Sequence, residues 1–243
     1  MPGGLCALCP GVGDPLELAR GGHGVRVVAH GLPALRVERQ WRAPQGDRAP
    51  AVGAHEVLIE GGEHRWRGWS GRRAVLEEHL VQLEARCADL ARDTRLRTFL
   101  WVRDQGTGLG PEGVHPHGQL FGLPVELAPQ RPLVDQPRLE VCAIGTARAV
   151  VAPAPSVDFA LEITPGVEVA DTAEVLWQVL VALERALAGP PVSCAWTRAS
   201  RGLPGVIRVQ PWLGSPSALD LVGLGFGTWG PEEAAARLRE ALP

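Results

Sequence analysis

Residues 113–122 read GVHPHGQLFG, which sets His115, His117 and Gln119 at alternate positions of a largely apolar stretch. In an extended chain alternate side chains share a face, so the two imidazoles stand roughly 6.6 Å apart on one side, close enough to serve one ligand. Neutral imidazole is a competent nucleophile toward phosphorus and leaves readily from a phosphoramidate, so a histidine can split one transfer into two easier steps. His117 suits that role if His115 is held in place. Gln119 can donate an amide hydrogen bond to phosphoryl oxygens without offering a proton to a leaving group. The preceding GTGLGPEG, residues 106–113, carries the glycines that let backbone amides approach an anion closely.

A second constellation is Cys6 and Cys9, a C-x-x-C pair followed by Pro10, Gly11 and Gly13. Two thiolates at this spacing can grip one zinc ion, and a tetrahedral site needs two more ligands. These must come from the seven histidines. His115 lies at a strand end beside the glycine-rich loop, and His64 ends the loop after VLIEGG. His23, His30, His55 and His79 compete with them, and spacing alone does not choose. Five cysteines spread through the chain argue against a disulfide framework.

The elements that must position these groups follow from periodicity. Strands are expected at VRVVAH, LRVERQW, HEVLIE, TFLWVRD and VHPHGQLF. A helix is expected after Ser70 as N-cap, with Val75, Leu76, Leu80, Leu83, Cys87, Leu90 and Ala91 on its buried stripe. After a proline-rich linker at 124–137 the same order returns: RLEVCAIG, ARAVVAPA, VDFALEIT, a helix near 172–188, VSCAWTRAS and GVIRVQPWLG. The last segment lies on GVHPHGQLFG without a gap, Ile207 at the place of His115 and Val209 at that of His117, so the chemistry is expected once per chain. A final helix, GPEEAAARLREAL, opens with proline and acids as a helix start should. The expectation is an α+β protein of two units, residues 1–123 and 138–243, each an antiparallel sheet with a helix packed across it.

The 243 residues are 45% hydrophobic, enough for packed cores. A formal net charge of -3 and a sequence pI near 6.2 provide no basic field for nucleic acid or an anionic membrane. No basic leader and no run of roughly 20 apolar residues is found, so a cytoplasmic protein is expected. Lysine is absent, so arginine must supply any cationic contact to phosphate.

The motifs resemble those of the galactose-1-phosphate uridylyltransferases of the histidine-triad superfamily. CALCPG is similar to the family's opening zinc motif and VRVVAHGLPALRVE to the strand and turn that follow. HEVLIEGGEH is similar to its third-strand segment, HPHGQL to its active-site motif and GPEEAAARLREAL to its terminal helix. The resemblance implies two tandem histidine-triad-like units, and zinc held by Cys6, Cys9, His64 and His115. It implies His117 as the nucleophile that carries a nucleoside monophosphate and Gln119 as the residue orienting the phosphoryl oxygens. Glutamine rather than a third histidine favours transfer to a second substrate over release to water. Nucleotide sugar and sugar phosphate are the implied substrates, and a homodimer the implied assembly.

The departures fall at expected substrate contacts. His30 and Asp104 stand where the family has asparagines, and Glu112 replaces a small hydroxyl residue ahead of the first histidine. Gly106 and Gly110 retain the loop glycines. The arginine-rich segment expected ahead of the zinc motif has no counterpart before Cys6. In the second half Ala160 and its neighbours replace expected histidines, Glu162 fits a common variant, and Gly225 replaces an acidic residue.

Overall fold

The computed structural model describes residues 6, 8–9, 16–40, 51–61, 72–106, 115–127, 138–152, 157–199, 205–213 and 229–243. In chain order the first half contributes β1 (Glu17–Arg20), β2 (Arg26–Ala29), β3 (Ala54–Ile59), helix α1 (Arg73–Leu90), β4 (Thr98–Gln105) and β5 (His117–Leu123). The second contributes β6 (Glu140–Ile144), β7 (Ala147–Val151), β8 (Leu161–Thr164), α2 (Val169–Ala186), β9 (Val192–Ala199) and β10 (Ile207–Pro211), then α3 (Pro231–Glu240). Among the described residues the ten strands form one sheet in the order β1-β2-β3-β5-β4-β9-β10-β8-β7-β6, every neighbouring pair antiparallel. The α+β expectation holds.

The pairing of β4 with β9 joins the two halves over eight residues of each, Trp101 opposite Trp196. Strand pairs share a face, so a row can be followed across the whole sheet. Leu120, Trp101, Trp196, Ile207, Ile163 and Ala149 are successive cross-strand partners, and all are buried in one apolar cluster. The helices supply the other side of that cluster, Leu76, Leu80 and Leu83 from α1, Ala173, Leu176 and Leu183 from α2, and Ala234 and Leu238 from α3. The adjacent row on the opposite face reads Val57, Gln119, Val102, Ala195, Arg208, Glu162 and Val150. Apart from Val57 its members are half-buried, so the sheet has a helix face and an open face.

Three expectations change. LRVERQW forms no strand over its described residues 35–40, where Arg36 makes an isolated bridge to Val52. Helix α1 begins after Arg72 with no side-chain cap, and Ser70 lies outside the described residues. Ile207 and Val209 point into the helix-face core, whereas His117 and Gln119 lie on the open face. With Leu120 and Ile207 matched as the partners of Trp101 and Trp196, the gapless overlay of the two segments fails by five residues of register, an odd shift that in a strand exchanges the faces. Arg208 and Gln210 are the β10 side chains on the open face. The linker expected at 124–137 is described only to residue 127.

Candidate active site

At the end of the sheet where β3 finishes and β5 begins, the chain around Cys6 and Cys9 sits on the open face. Leu8 packs on Val28, Val57 and Ile59, an apolar cluster separate from the helix-face core. The buried Arg26 guanidinium of β2 donates to the Leu8 carbonyl at 2.6 Å. A tight turn brings the Cys9 N–H to the Cys6 carbonyl at 2.9 Å, and the Leu8 N–H points at Cys6 Sγ at 3.4 Å.

His115 closes this group. Its Nδ1 lies 3.6 Å from Cys6 Sγ and 3.9 Å from Cys9 Sγ, and the three candidate ligand atoms all lie within 4.8 Å of one another. Zinc–sulfur and zinc–nitrogen bonds of about 2.3 and 2.0 Å at a tetrahedral angle put the two ligand atoms roughly 3.5 Å apart. The separations therefore fit three corners of a tetrahedron. Burial raises the Cys9 thiol above its ordinary value and the neighbouring Cys6 raises it further, with Arg26 opposing. A cation between the sulfurs would remove that repulsion. His64, the expected fourth corner, lies outside the described residues, as do Gly110 and Glu112.

Two residues beyond His115, His117 begins β5. Its Nδ1 lies 2.8 Å from the His115 carbonyl oxygen. A carbonyl only accepts, so Nδ1 carries the hydrogen, and in the neutral ring Nε2 carries a lone pair. The chain thus fixes the tautomer that an attacking imidazole needs. Pro116 between them accepts from the Glu60 N–H at 2.8 Å, which continues the β3–β5 ladder past the strand end.

Gly118 separates His117 from Gln119 and faces the helices. A Cβ there would overlap Nε1 of Trp101, so the close passage of the indole under the strand requires glycine. Trp101 Nε1–H donates to His79 Nε2 of α1 at 3.0 Å. An indole only donates, so the His79 proton sits on Nδ1, 3.7 Å from Glu60 Oε1. Glu60 in turn accepts both ends of the Arg103 guanidinium at 2.6 and 2.9 Å. Burial holds His79 neutral, its pKa lowered to about 4 against an opposing pull from Glu60.

Gln119 stands on the open face with its Oε1 2.8 Å from His55 Nε2. His55 is stacked between His30 and Phe121, with ring centroids at 4.0 and 4.2 Å. Its Nδ1 accepts from the Ala34 N–H at 3.1 Å, and His30 Nδ1 accepts from the Leu32 N–H at 3.1 Å. His30 therefore lies one ring away from Gln119's partner. Asp104 is on the open face near the end of β4, where its Oδ1 accepts from Ser193 Oγ of β9. Ser193 Oγ also accepts from Trp212 Nε1 at 2.8 Å. Gly106, at φ +110, follows β4 against Pro191, a conformation that favours glycine as the chain leaves the sheet.

The structure thus brings Cys6, Cys9, His115 and His117 to the end of the sheet where β3 finishes, with Gln119 further along the same face and His30 beyond it, stacked on His55 near the start of β3. His55 escaped selection by sequence, where it was one of several competing histidines. The available signal was its place two residues before Val57, which puts it on the same face as β5's polar side chains.

No protein-family model matches the chain, and no curated protein matches it. Solved structures do. A GalT-like protein from Arabidopsis thaliana matches at TM-score 0.80 and 19% identity over 97% of this chain and 92% of that one. The chain has the GalT-like fold. An ADP-glucose phosphorylase from Arabidopsis thaliana with bound ADP-glucose gives TM-score 0.80 and 20% identity over 97% and 89% of the two chains. A uridylyltransferase gives 0.80 and 21% over 99% and 92%.

Proposed function

We propose that the protein is a nucleotidyltransferase that moves a nucleoside monophosphate through a covalent intermediate on His117. The observation that carries this reading is the hydrogen bond from His117 Nδ1 to the His115 carbonyl, which leaves Nε2 as the nucleophilic atom. In the first half-reaction the Nε2 lone pair attacks the α-phosphorus of a nucleotide sugar. An N–P bond forms, the bond from α-phosphorus to the bridging oxygen breaks, and the sugar phosphate leaves with those electrons. In the second, an oxygen of an acceptor phosphate attacks the same phosphorus and the imidazole departs. Gln119 donates to the phosphoryl oxygens, where charge develops, and arginines and loop amides meet the rest.

Cys6, Cys9, His64 and His115 are the proposed zinc ligands. Zinc, when bound, ties the N-terminal turn to the segment entering β5. His30, Asp104, Gly106, Gly110 and Glu112 are proposed to line the substrate site. The tandem-unit reading is kept, residues 1–123 and 138–243 being two histidine-triad-like units around the 124–137 linker, with chemistry on the first alone. A homodimer is proposed on the same resemblance, as is a hexose 1-phosphate acceptor. The structural neighbour with bound ADP-glucose supports a second reading, in which an ADP-sugar is the donor and inorganic phosphate the acceptor.

Incubation with UDP-glucose and, separately, ADP-glucose, followed by intact-protein mass measurement, tests both. A gain of one UMP that disappears in His117→Ala supports the first donor, and a gain of one AMP the second. No adduct from either donor, with tight nucleotide binding retained, would identify a non-catalytic binding protein instead.

A further inference from the structure

Gln119 can meet a phosphoryl group usefully only with its NH2 end, because its oxygen would repel the phosphoryl oxygens. An isolated glutamine on an open sheet face presents either end. Here two contacts remove the choice. The Ala34 backbone N–H, which can only donate, points at His55 Nδ1 at 3.1 Å. Nδ1 must then be the bare nitrogen, and the neutral ring carries its hydrogen on Nε2. Nε2–H, which can only donate, faces the Gln119 side chain at 2.8 Å, so Gln119 must offer its oxygen there.

The ring that relays this constraint is itself fixed. His30 stacks on one side at 4.0 Å and 14°, and Phe121 on the other at 4.2 Å and 21°. His55 is 8% exposed, and burial lowers its pKa below the usual histidine value, with Gln119 opposing and His30 adding to the fall. The neutral tautomer that the Ala34 contact demands is the form this surrounding favours.

We propose that His55 is a positioning residue that relays a fixed backbone donor at Ala34 to the Gln119 side chain, so that the Gln119 NH2 group is presented to the phosphoryl oxygens before substrate arrives. The proposal rests on the nucleotidyl-transfer reading and adds to it a residue outside the HPHGQ segment. Holding the amide in advance avoids reorientation during the reaction, which is how a hydrogen-bond donor gains its effect on a developing charge.

The test compares His55→Phe with His55→Gln in the full-length protein. Phenylalanine keeps a flat ring between His30 and Phe121 but has no donor; glutamine restores an N–H donor for Gln119 Oε1. With the donor sugar nucleotide that forms the adduct, His55→Phe is expected to slow the first-order rate of adduct formation by about 10- to 100-fold while donor affinity changes by less than about 3-fold. His55→Gln is expected to recover most of the rate. Wild-type adduct formation in His55→Phe, or a His55→Gln rate no better than His55→Phe, would overturn the proposal. Nitrogen NMR of the ligand-free protein is independent of turnover: His55 should be the Nε2–H tautomer, and the Gln119 NH2 signals should shift in His55→Phe. An Nδ1–H tautomer, or unmoved Gln119 signals, would overturn it even if the protein forms an adduct. A wild type with the expected tautomer and no adduct would instead count against the nucleotidyl-transfer reading.

Discussion

The two halves of the sheet repeat one order of elements, three strands, a helix and two strands, and they meet at Trp101 opposite Trp196. They differ in what each tryptophan donates to and in what the open face carries. Trp101 donates to His79, a titratable side chain of α1, whereas Trp196 donates to the Gly205 carbonyl at 3.1 Å. Aligning the two tryptophans by their cross-strand partners puts Leu120 with Ile207 and Gly118 with Gly205. The position of His117 then corresponds to Pro204, outside the described residues, and no imidazole can act from it. On the open face Gln119 meets His55 in the first half, while in the second Arg208 meets Glu162 at 3.3 Å. At this row one half keeps a neutral, directional pair of donor and acceptor. The other places opposite charges there.

The largest expected effect separates these faces by activity. His117→Ala should abolish the covalent adduct and lower turnover by at least about 10⁴-fold, as loss of a nucleophile does. Arg208→Ala should leave turnover unchanged. A loss of turnover in Arg208→Ala would show that the second half takes part in the chemistry.

Next in size is the metal. Cys6→Ser should take zinc from about one ion per chain to near none, and the melting temperature should fall with it, since binding a structural metal adds to folding stability. Elemental analysis and thermal melts check this, and undiminished metal would remove Cys6 from the site.

The partners of the two tryptophans should differ in acid sensitivity, since Trp101 donates to a histidine and Trp196 to a backbone carbonyl. His79 has a folded pKa of about 4, below the ordinary 6.5, so the unfolded chain binds the proton first as pH falls. Its contribution is complete above pH 6.5 and is lost progressively down to pH 4, by up to about 3 kcal/mol. Chemical denaturation at several pH values should show this slope, and His79→Gln should flatten it. An unchanged slope would place the acid sensitivity elsewhere.

A smaller contrast concerns the glycines beneath those indoles. A Cβ at Gly118 would meet a tryptophan side chain, and one at Gly205 the Thr197 backbone carbonyl. Each alanine variant should cost about 1–3 kcal/mol by overpacking. Only Gly118→Ala should also slow adduct formation, because it alone displaces the strand carrying His117 and Gln119. Arg208→Ala should have the smallest effect on stability, no more than about 1 kcal/mol for a half-exposed pair.

The reactive segment was legible in the sequence because its information is local: two-residue alternation puts His115, His117 and Gln119 on one side whatever the rest of the chain does. Helix α1 was legible for the same reason, its apolar stripe repeating within 18 residues. β1 was not, since Glu-Leu-Ala-Arg is too short and too polar to show a pattern, and it forms by pairing with β2. LRVERQW had the pattern, yet among its described residues it forms an isolated bridge at Arg36 rather than a strand. The match of GVIRVQPWLG to GVHPHGQLFG followed residue types and missed register, which only the chain of cross-strand pairs fixes. His55 meets Gln119 across 64 residues, a proximity that no spacing encodes.

The most direct test of the account is where phosphorus becomes attached. The protein is mixed with donor labelled at the α-phosphorus, quenched under alkaline conditions in milliseconds, digested and mapped. The account predicts one labelled peptide containing His117, with label stable to base and released by acid as a phosphoramidate should be. Label on another residue, or turnover with no labelled peptide at any time, would contradict it.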